Sequence, residues 1–260
     1  MQSKKNPTHV TIAVIAYFGG ELLQKTIDSI NATTPHSIKS KIIVLPNGIQ
    51  LDSKTREYLK IKNISIVLNK VEKGLTYRIK QAFSSCTNQF LILTQDGIGF
   101  TPTTLINTIN SFKSNPEITL ASAKIEPSHA QSLGEAVTEV RFLLKSRIGN
   151  LWRRKDNYLM VNSKFLAFRM SFASKLSIPE NINNISTYLY LENKRQKGKF
   201  KFVFNALCTK KRPLSIYSYI DWRKNLQSTQ DEMTKYFDLN GREFKIPKIL
   251  VFQSIFMEFV

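Results

Sequence analysis

A hydrophobic run, Gln89 to Leu93, ends in Thr94-Gln95-Asp96-Gly97 and leaves a lone carboxylate where the chain turns. At the carboxyl end of a strand in a doubly wound sheet, that position faces the ligand crevice. A carboxylate there can hold Mg²⁺ or Mn²⁺, cations that take one or two carboxylates and otherwise the oxygens of a bound phosphate. The same residues also read as an aspartate preceding glycine in an ordinary turn. Other chemistries find less support. His9, His36 and His129 are scattered without metal-ligand spacing, and Cys86 and Cys208 are too few for a four-thiolate zinc site or a disulfide scaffold. No nucleophile-elbow sequence accompanies a Ser-His-Asp set. Nothing in the chain carries the punctuation of a helix-turn-helix, a zinc finger, an RNP strand or a KH loop, so nucleic acid is not the expected partner.

The elements that must position Asp96 are legible as alternating patterns. Thr8 to Tyr17 (THVTIAVIAY) is a nearly unbroken β-branched and small apolar run, as in a strand buried on both faces, and Phe18-Gly19-Gly20 ends it. Leu22, Leu23, Ile27 and Ile30 then recur at helical spacing. Lys41 to Leu45 and Ile64 to Leu68 read as the second and third strands, Leu75 to Phe83 as a helix, Gln89 to Leu93 as the fourth strand and Thr101 to Phe112 as another helix. Short hydrophobic strands alternating with helices predict an α/β, doubly wound, mostly parallel sheet over the N-terminal half. Ser163 to Met170 and Lys199 to Leu207 add strands, with a helix between them near Tyr188 to Gln196. No repeat or hinge-like linker divides the chain, which predicts one domain, residues 1–214, and a helical extension, 215–260, facing a membrane or a partner.

The sequence has 260 residues, with 38 Lys and Arg against 19 Asp and Glu, a net charge of +19. That balance favours anionic partners: nucleic acid, phospholipid head groups or nucleotide phosphates. No run reaches the ~20 apolar residues of a membrane-spanning helix, and Met1 to Pro7 passes into the first strand without a secretory signal, so a cytoplasmic protein is expected. Val140 to Lys155 carries Arg141, Lys145, Arg147, Arg153, Arg154 and Lys155 without an acid, and Leu144, Ile148, Leu151 and Trp152 can share one helical face. Such a basic amphipathic helix with an aromatic anchor suits a peripheral position on an anionic membrane surface; a helix packed on the sheet with a solvated basic rim is the other reading. Lys194 to Lys201 with Lys210-Lys211-Arg212 extends the basic surface.

Four segments stand in register: Ala13 to Tyr17 with Leu23, Ile27, Ser29 and Ile30; Ile42 to Gly48; Asn69 to Ala82 with Gly74 and Arg78; and Leu91 to Asp96. Their order and spacing over roughly the first hundred residues resemble the inverting family-two glycosyltransferases of the GT-A fold. The resemblance implies a nucleotide-sugar donor, with Ala16 and Tyr17 lining the base, Asn47 near the nucleoside, Arg78 near the nucleotide, Gln95 and Asp96 at the diphosphate, and Asp96 coordinating Mn²⁺ or Mg²⁺. Cation and basic groups would then neutralise charge on the departing diphosphate while an acceptor hydroxyl attacks the anomeric carbon. The chain departs from the pattern at two carboxylates: Thr94 stands at the first Asp of D-x-D, and Pro46 at the Asp of the second-strand turn.

In that family a helix past the middle of the chain opens with the carboxylate that deprotonates the acceptor. The corresponding stretch here is Ile178 to Phe204, where Gly198 and the following strand match. Ser186 or Ile185 falls at the acid's position, and an unassisted serine is no base at neutral pH. Glu180 upstream and Asp221 downstream are the candidate catalytic substitutes; both also read as solvated carboxylates. Pro213 to Arg223 looks like the segment that carries an arginine toward the donor phosphates, which nominates Arg223, with Trp222 alternatively packing the extension onto the domain. The expected function is transfer of a sugar, with inversion, to a glycan or lipid-linked acceptor in polysaccharide biosynthesis. A catalytically inactive relative that binds a nucleotide-sugar or a partner protein is the alternative.

Overall fold

A computed structural model of the chain describes residues 6–68, 74–126, 132–210, 229–239 and 244–256. The first half runs β1 (Thr8–Ala16), α1 (Gly20–Thr33), β2 (Ile38–Pro46), α2 (Ser53–Ile61), a short β3 (Ser65–Ile66), α3 (Gly74–Ser85), β4 (Phe90–Gln95), β5 (Ile98–Phe100) and α4 (Pro102–Ser114), in which α2 and β5 are additions to the elements its patterns predict. β6 (Ile118–Glu126), α5 (Leu133–Leu151), two 3₁₀ turns, β7 (Phe165–Arg169), α6 (Met170–Ala173), α7 (Ile185–Arg195) and β8 (Lys199–Lys210) follow. Last come α8 (Thr229–Thr234) and α9 (Lys248–Phe256).

The sheet runs β3-β2-β1-β4-β7-β6-β8-β5. Pairings β1 with β2, β1 with β4, β2 with β3 and β6 with β8 are parallel. β7 differs from the doubly wound expectation: it is antiparallel to both β4 and β6, lying between them. A strand buried on both faces reads the same in either direction, so the apolar run of β7 could not announce its polarity. β5 leaves β4 after only Asp96 and Gly97, yet pairs antiparallel with the end of β8 at the far edge. The sheet is thus curled, its last strand returning to the carboxyl end of β4.

Two apolar layers flank this sheet, and the period of two along β1 divides them. Ile12 and Val14 face a layer with Leu23, Ile27 and Ile30 of α1 and Leu105, Ile109 and Phe112 of α4. Ala13 and Ile15 face the other layer, with Ile79 and Ala82 of α3 and Leu189 of α7. All four β1 residues are fully buried, and each large one adds roughly 1.5–3 kcal/mol. Met233 of α8 is buried in the second layer, and α9 packs on α5. Trp152, expected as a membrane anchor, is instead buried, edge-on to Tyr158 at a centroid separation of 5.7 Å. The 3₁₀ turn Tyr158–Met160 packs against the end of α5 and supplies the apolar partner.

Candidate functional site

The carboxyl ends of β1, β2 and β4 are laced together by backbone bonds. Asn47 N donates to Ala16 O at 2.8 Å, and Asp96 N to Ile15 O at 3.1 Å. The Asp96 carboxylate does the rest: it accepts from the N–H groups of Tyr17 (3.1 Å, on Oδ1), Phe18 (2.7 Å, on Oδ2) and Gly19 (2.9 Å, on Oδ2). Three backbone donors on one carboxylate form an anion-holding nest, and here the anion comes from the chain itself. Gly19 makes the nest by adopting φ +66°, where its missing Cβ also spares contacts with Ile49 and Leu51. From beneath, α1 pins the β4–β5 turn through Thr26 Oγ1, which accepts from Gly97 N at 2.9 Å.

Arg78 completes the group. Its side chain is only 1% exposed, and Nε donates to Asn47 Oδ1 at 3.3 Å while Nη1 donates to Gln81 Oε1 at 2.7 Å. Neutral amides hold this buried cation, and no ion pair to it is found among the described residues. Burial of the Tyr17 ring, reinforced by the Asp96 charge and opposed by Arg78, pushes the phenol up to about 12, so it remains a neutral donor. Tyr17, Asn47, Arg78 and Asp96 are therefore assembled at one crevice. Ala16 is fully buried beneath them, and Gln95 is half-buried opposite Ile15.

Glu180 is exposed in the turn before α7, and Asp221 and Arg223 lie outside the described residues. A carboxylate not singled out in the sequence sits at the α7 N-terminus: Glu232 of α8 is 7% exposed and accepts from Asn183 N (2.7 Å) and Asn184 N (3.1 Å). Each of its oxygens is thus engaged by the backbone, which makes it a clamp on the helix start rather than a ready base. Its sequence signal was weak, an acid in a short mixed-charge helix far down the chain. A cavity of about 690 Å³ lined by Arg153, Asp156, Tyr190, Lys194, Arg195 and Phe237 contains none of the crevice residues.

A curled, parallel-dominated sheet covered by helices, with a crevice at the ends of β1, β2 and β4, is the architecture of GT-A-type glycosyltransferases. Solved structures give the particulars. The mannosyltransferase PcManGT from Pyrobaculum calidifontis, in complex with GDP-Man and Mn²⁺, superposes with a TM-score of 0.67 at 13% identity, over 96% of this chain and 70% of that one. Glucosyl-3-phosphoglycerate synthase from Mycobacterium tuberculosis, with Mn²⁺, UDP and glucosyl-3-phosphoglycerate, gives 0.61 at 14% identity over 87% and 80%. The same enzyme with Mg²⁺ and UDP gives 0.61 at 11% over 89% and 79%. No protein-family model and no curated protein matches the sequence. At these identities the likeness is one of fold.

Those neighbours bind Mn²⁺ or Mg²⁺ together with nucleotide. Among the described residues no three His, Cys, Asp or Glu side chains converge as a metal cage. With Oδ2 of Asp96 doubly bonded, one acceptor position on Oδ1 is left, a donor set that fits a cation held chiefly by phosphate oxygens.

Proposed function

We propose that this protein transfers a sugar from a nucleoside-diphosphate donor, with inversion, to a glycan or lipid-linked acceptor at an anionic membrane surface. The observation that carries the reading is Arg78: a buried guanidinium held by Asn47 and Gln81 rather than by a carboxylate, under the crevice where β1, β2 and β4 end. A cation kept in that way places positive potential where a nucleotide would lie. Tyr17 and Ala16 border the base, Asn47 the nucleoside, and Gln95 and Asp96 the diphosphate, with Arg223 as a further phosphate contact. Asp96 would hold Mn²⁺ or Mg²⁺ through Oδ1, and the cation would supply charge neutralisation to the leaving diphosphate. Tyr17 stays protonated and can donate, and the nest on Asp96 keeps the β1–α1 turn fixed while the donor enters.

A second reading, a nucleotide-sugar-binding protein without turnover, is favoured by one feature: at the α7 N-terminus the carboxylate present, Glu232, is occupied by backbone N–H groups. Glu180 and Asp221 are the remaining candidates for the base. Purified protein with Mn²⁺ and UDP-, GDP- and dTDP-sugars separates the readings. Release of nucleotide from one donor, lost in Arg78→Ala, is the expected result. Donor binding without release establishes the second reading, and binding of no donor overturns both.

A further inference from the structure

Lys145, Lys164 and Lys210 come from three elements and meet beside the carboxyl end of β4. The antiparallel entry of β7 is the cause for the first pair: Thr94 of β4 is opposite Phe165, and Thr94 Oγ1 donates to the carbonyl of Lys164 at 3.0 Å. Lys164 N in turn donates to Asn162 Oδ1 at 3.1 Å, which fixes the backbone that carries the amine. The curl of the sheet brings the second: β8 ends at Lys210, paired with Ile98, two residues beyond Asp96. The Lys164 and Lys210 amines lie within hydrogen-bonding reach of each other, and Lys145 of α5 is close enough to Lys164 to feel its charge. All three side chains are half-buried.

Amines gathered in this way repel one another when protonated. Burial and the neighbouring Lys164 bring Lys145 down to about 8, and burial lowers Lys164 as well. Such a cluster is relieved by an anion carrying more than one charge. In the sheet order β7 lies two strands from β1, about 10 Å at ordinary strand spacing, which is the reach from a nucleoside at Tyr17 and Asn47 to the far phosphate. Thr94 and Pro46, at the carboxyl ends of β4 and β2, bring no negative charge to this edge of the sheet.

We propose that Lys145, Lys164 and Lys210 form a subsite for the diphosphate of the donor, through which a nucleoside diphosphate binds in the absence of any divalent cation. The proposal deepens the donor-binding reading and depends on it. Lys164 and Lys210 each donate to phosphate oxygens of the second phosphate, with Lys145 adding charge behind them.

The test is calorimetric titration of UDP, GDP and the corresponding monophosphates into metal-free protein in EDTA, repeated with Mn²⁺. One diphosphate is expected to bind in EDTA about tenfold or more tightly than its monophosphate, with an affinity that falls as salt is raised. Lys164→Met and Lys210→Met should each abolish that diphosphate preference while leaving monophosphate affinity within about twofold; Lys164→Arg should retain it. Thermal unfolding of each variant reports folding separately, and the wild-type diphosphate preference in EDTA tests the proposal without any variant. Binding only with Mn²⁺, or a diphosphate preference untouched by both methionine variants, overturns the subsite and leaves the donor-binding reading standing. Failure of every nucleotide to bind, with and without Mn²⁺, overturns both.

Discussion

A carboxylate that accepts three backbone N–H groups organises the loop it touches, whatever else it binds. For Asp96 those donors are consecutive residues of the β1–α1 turn, and bonds to a charged acceptor are worth roughly 1.5–3 kcal/mol each against water. Asp96→Asn keeps the size but directs an amide N–H₂ at donors that need an acceptor. It should lower stability by about 2 kcal/mol or more in metal-free buffer, a fall of roughly 4–8 °C in Tm for a chain of this length. A carboxylate kept only for a cation would give no such loss without metal, so thermal unfolding in EDTA decides the point. Cys208 makes a second case at this scale. Fully buried against Thr104, its thiol is pushed up to about 12 by desolvation. The folded value lies above the unfolded one of roughly 8.5, so the neutral thiol's contribution is complete below about pH 8.5 and is lost as pH rises toward 12. Urea midpoints should therefore decline from pH 8.5 to pH 10.5, and a thiol reagent at pH 8 should reach Cys208 only after unfolding.

The elements show why some of this was readable in advance. Gly198 closes the turn from α7 into β8, and a Cβ there would collide with the Thr119 hydroxyl and the Asn193 side-chain oxygen, two groups bonded to each other. Gly198→Ala should cost about 1–3 kcal/mol, seen as a lower urea midpoint with an unchanged denaturant slope. The glycine could be placed from sequence because it sits between a helical and an alternating apolar pattern, and the same contrast of periods located β1, α1, β2, α3, β4 and α4 to within a few residues. The direction of β7 was not legible. Nothing in SKFLAFRM distinguishes a parallel from an antiparallel buried strand, and only the register Thr94 to Phe165 brings Lys164 to the crevice. Lys145 and Lys210 were visible as parts of basic runs but read as surface charge, since their convergence depends on the curl that returns β8 to β5. Tyr17, Asn47, Arg78 and Asp96 were legible because each stands at the end of its own strand or on the first turns of a helix, where a doubly wound sheet must bring them together. Glu232 could not be assigned to the α7 N-terminus, because an acid in a short mixed-charge stretch far down the chain carries no sign of which helix end it meets.

On the scale of the whole molecule, the +19 charge acts together with an apolar edge that the interior does not use. None of the described helices is long and apolar enough to cross a membrane. α5 instead exposes Val140, Leu143 and Leu151, and α9, packed on α5, exposes Ile249 and Phe252 at 65% and 66%. Exposed Arg153, Arg154, Lys245 and Lys248 belong to the same two segments and their flanks. Trp152 being buried, Ile249 and Phe252 are the most exposed apolar side chains of this edge among the described residues. Inserting two such side chains would supply roughly 1.5–3 kcal/mol each, and each cation near an anionic surface adds about 1 kcal/mol, so neither contribution alone gives firm attachment while the sum does. The protein should float with vesicles containing phosphatidylglycerol or phosphatidylserine and not with phosphatidylcholine alone, and raising NaCl to 0.5 M should release most of it because screening shortens the reach of the charges. Ile249→Glu with Phe252→Glu should reduce anionic-vesicle binding by about tenfold or more, with Tm unchanged because both side chains are already in solvent. Binding that ignores salt and survives the double substitution would mean that this edge does not meet the bilayer, and the lipid-facing part of the functional reading would have to be given up while the nucleotide crevice stood on its own residues.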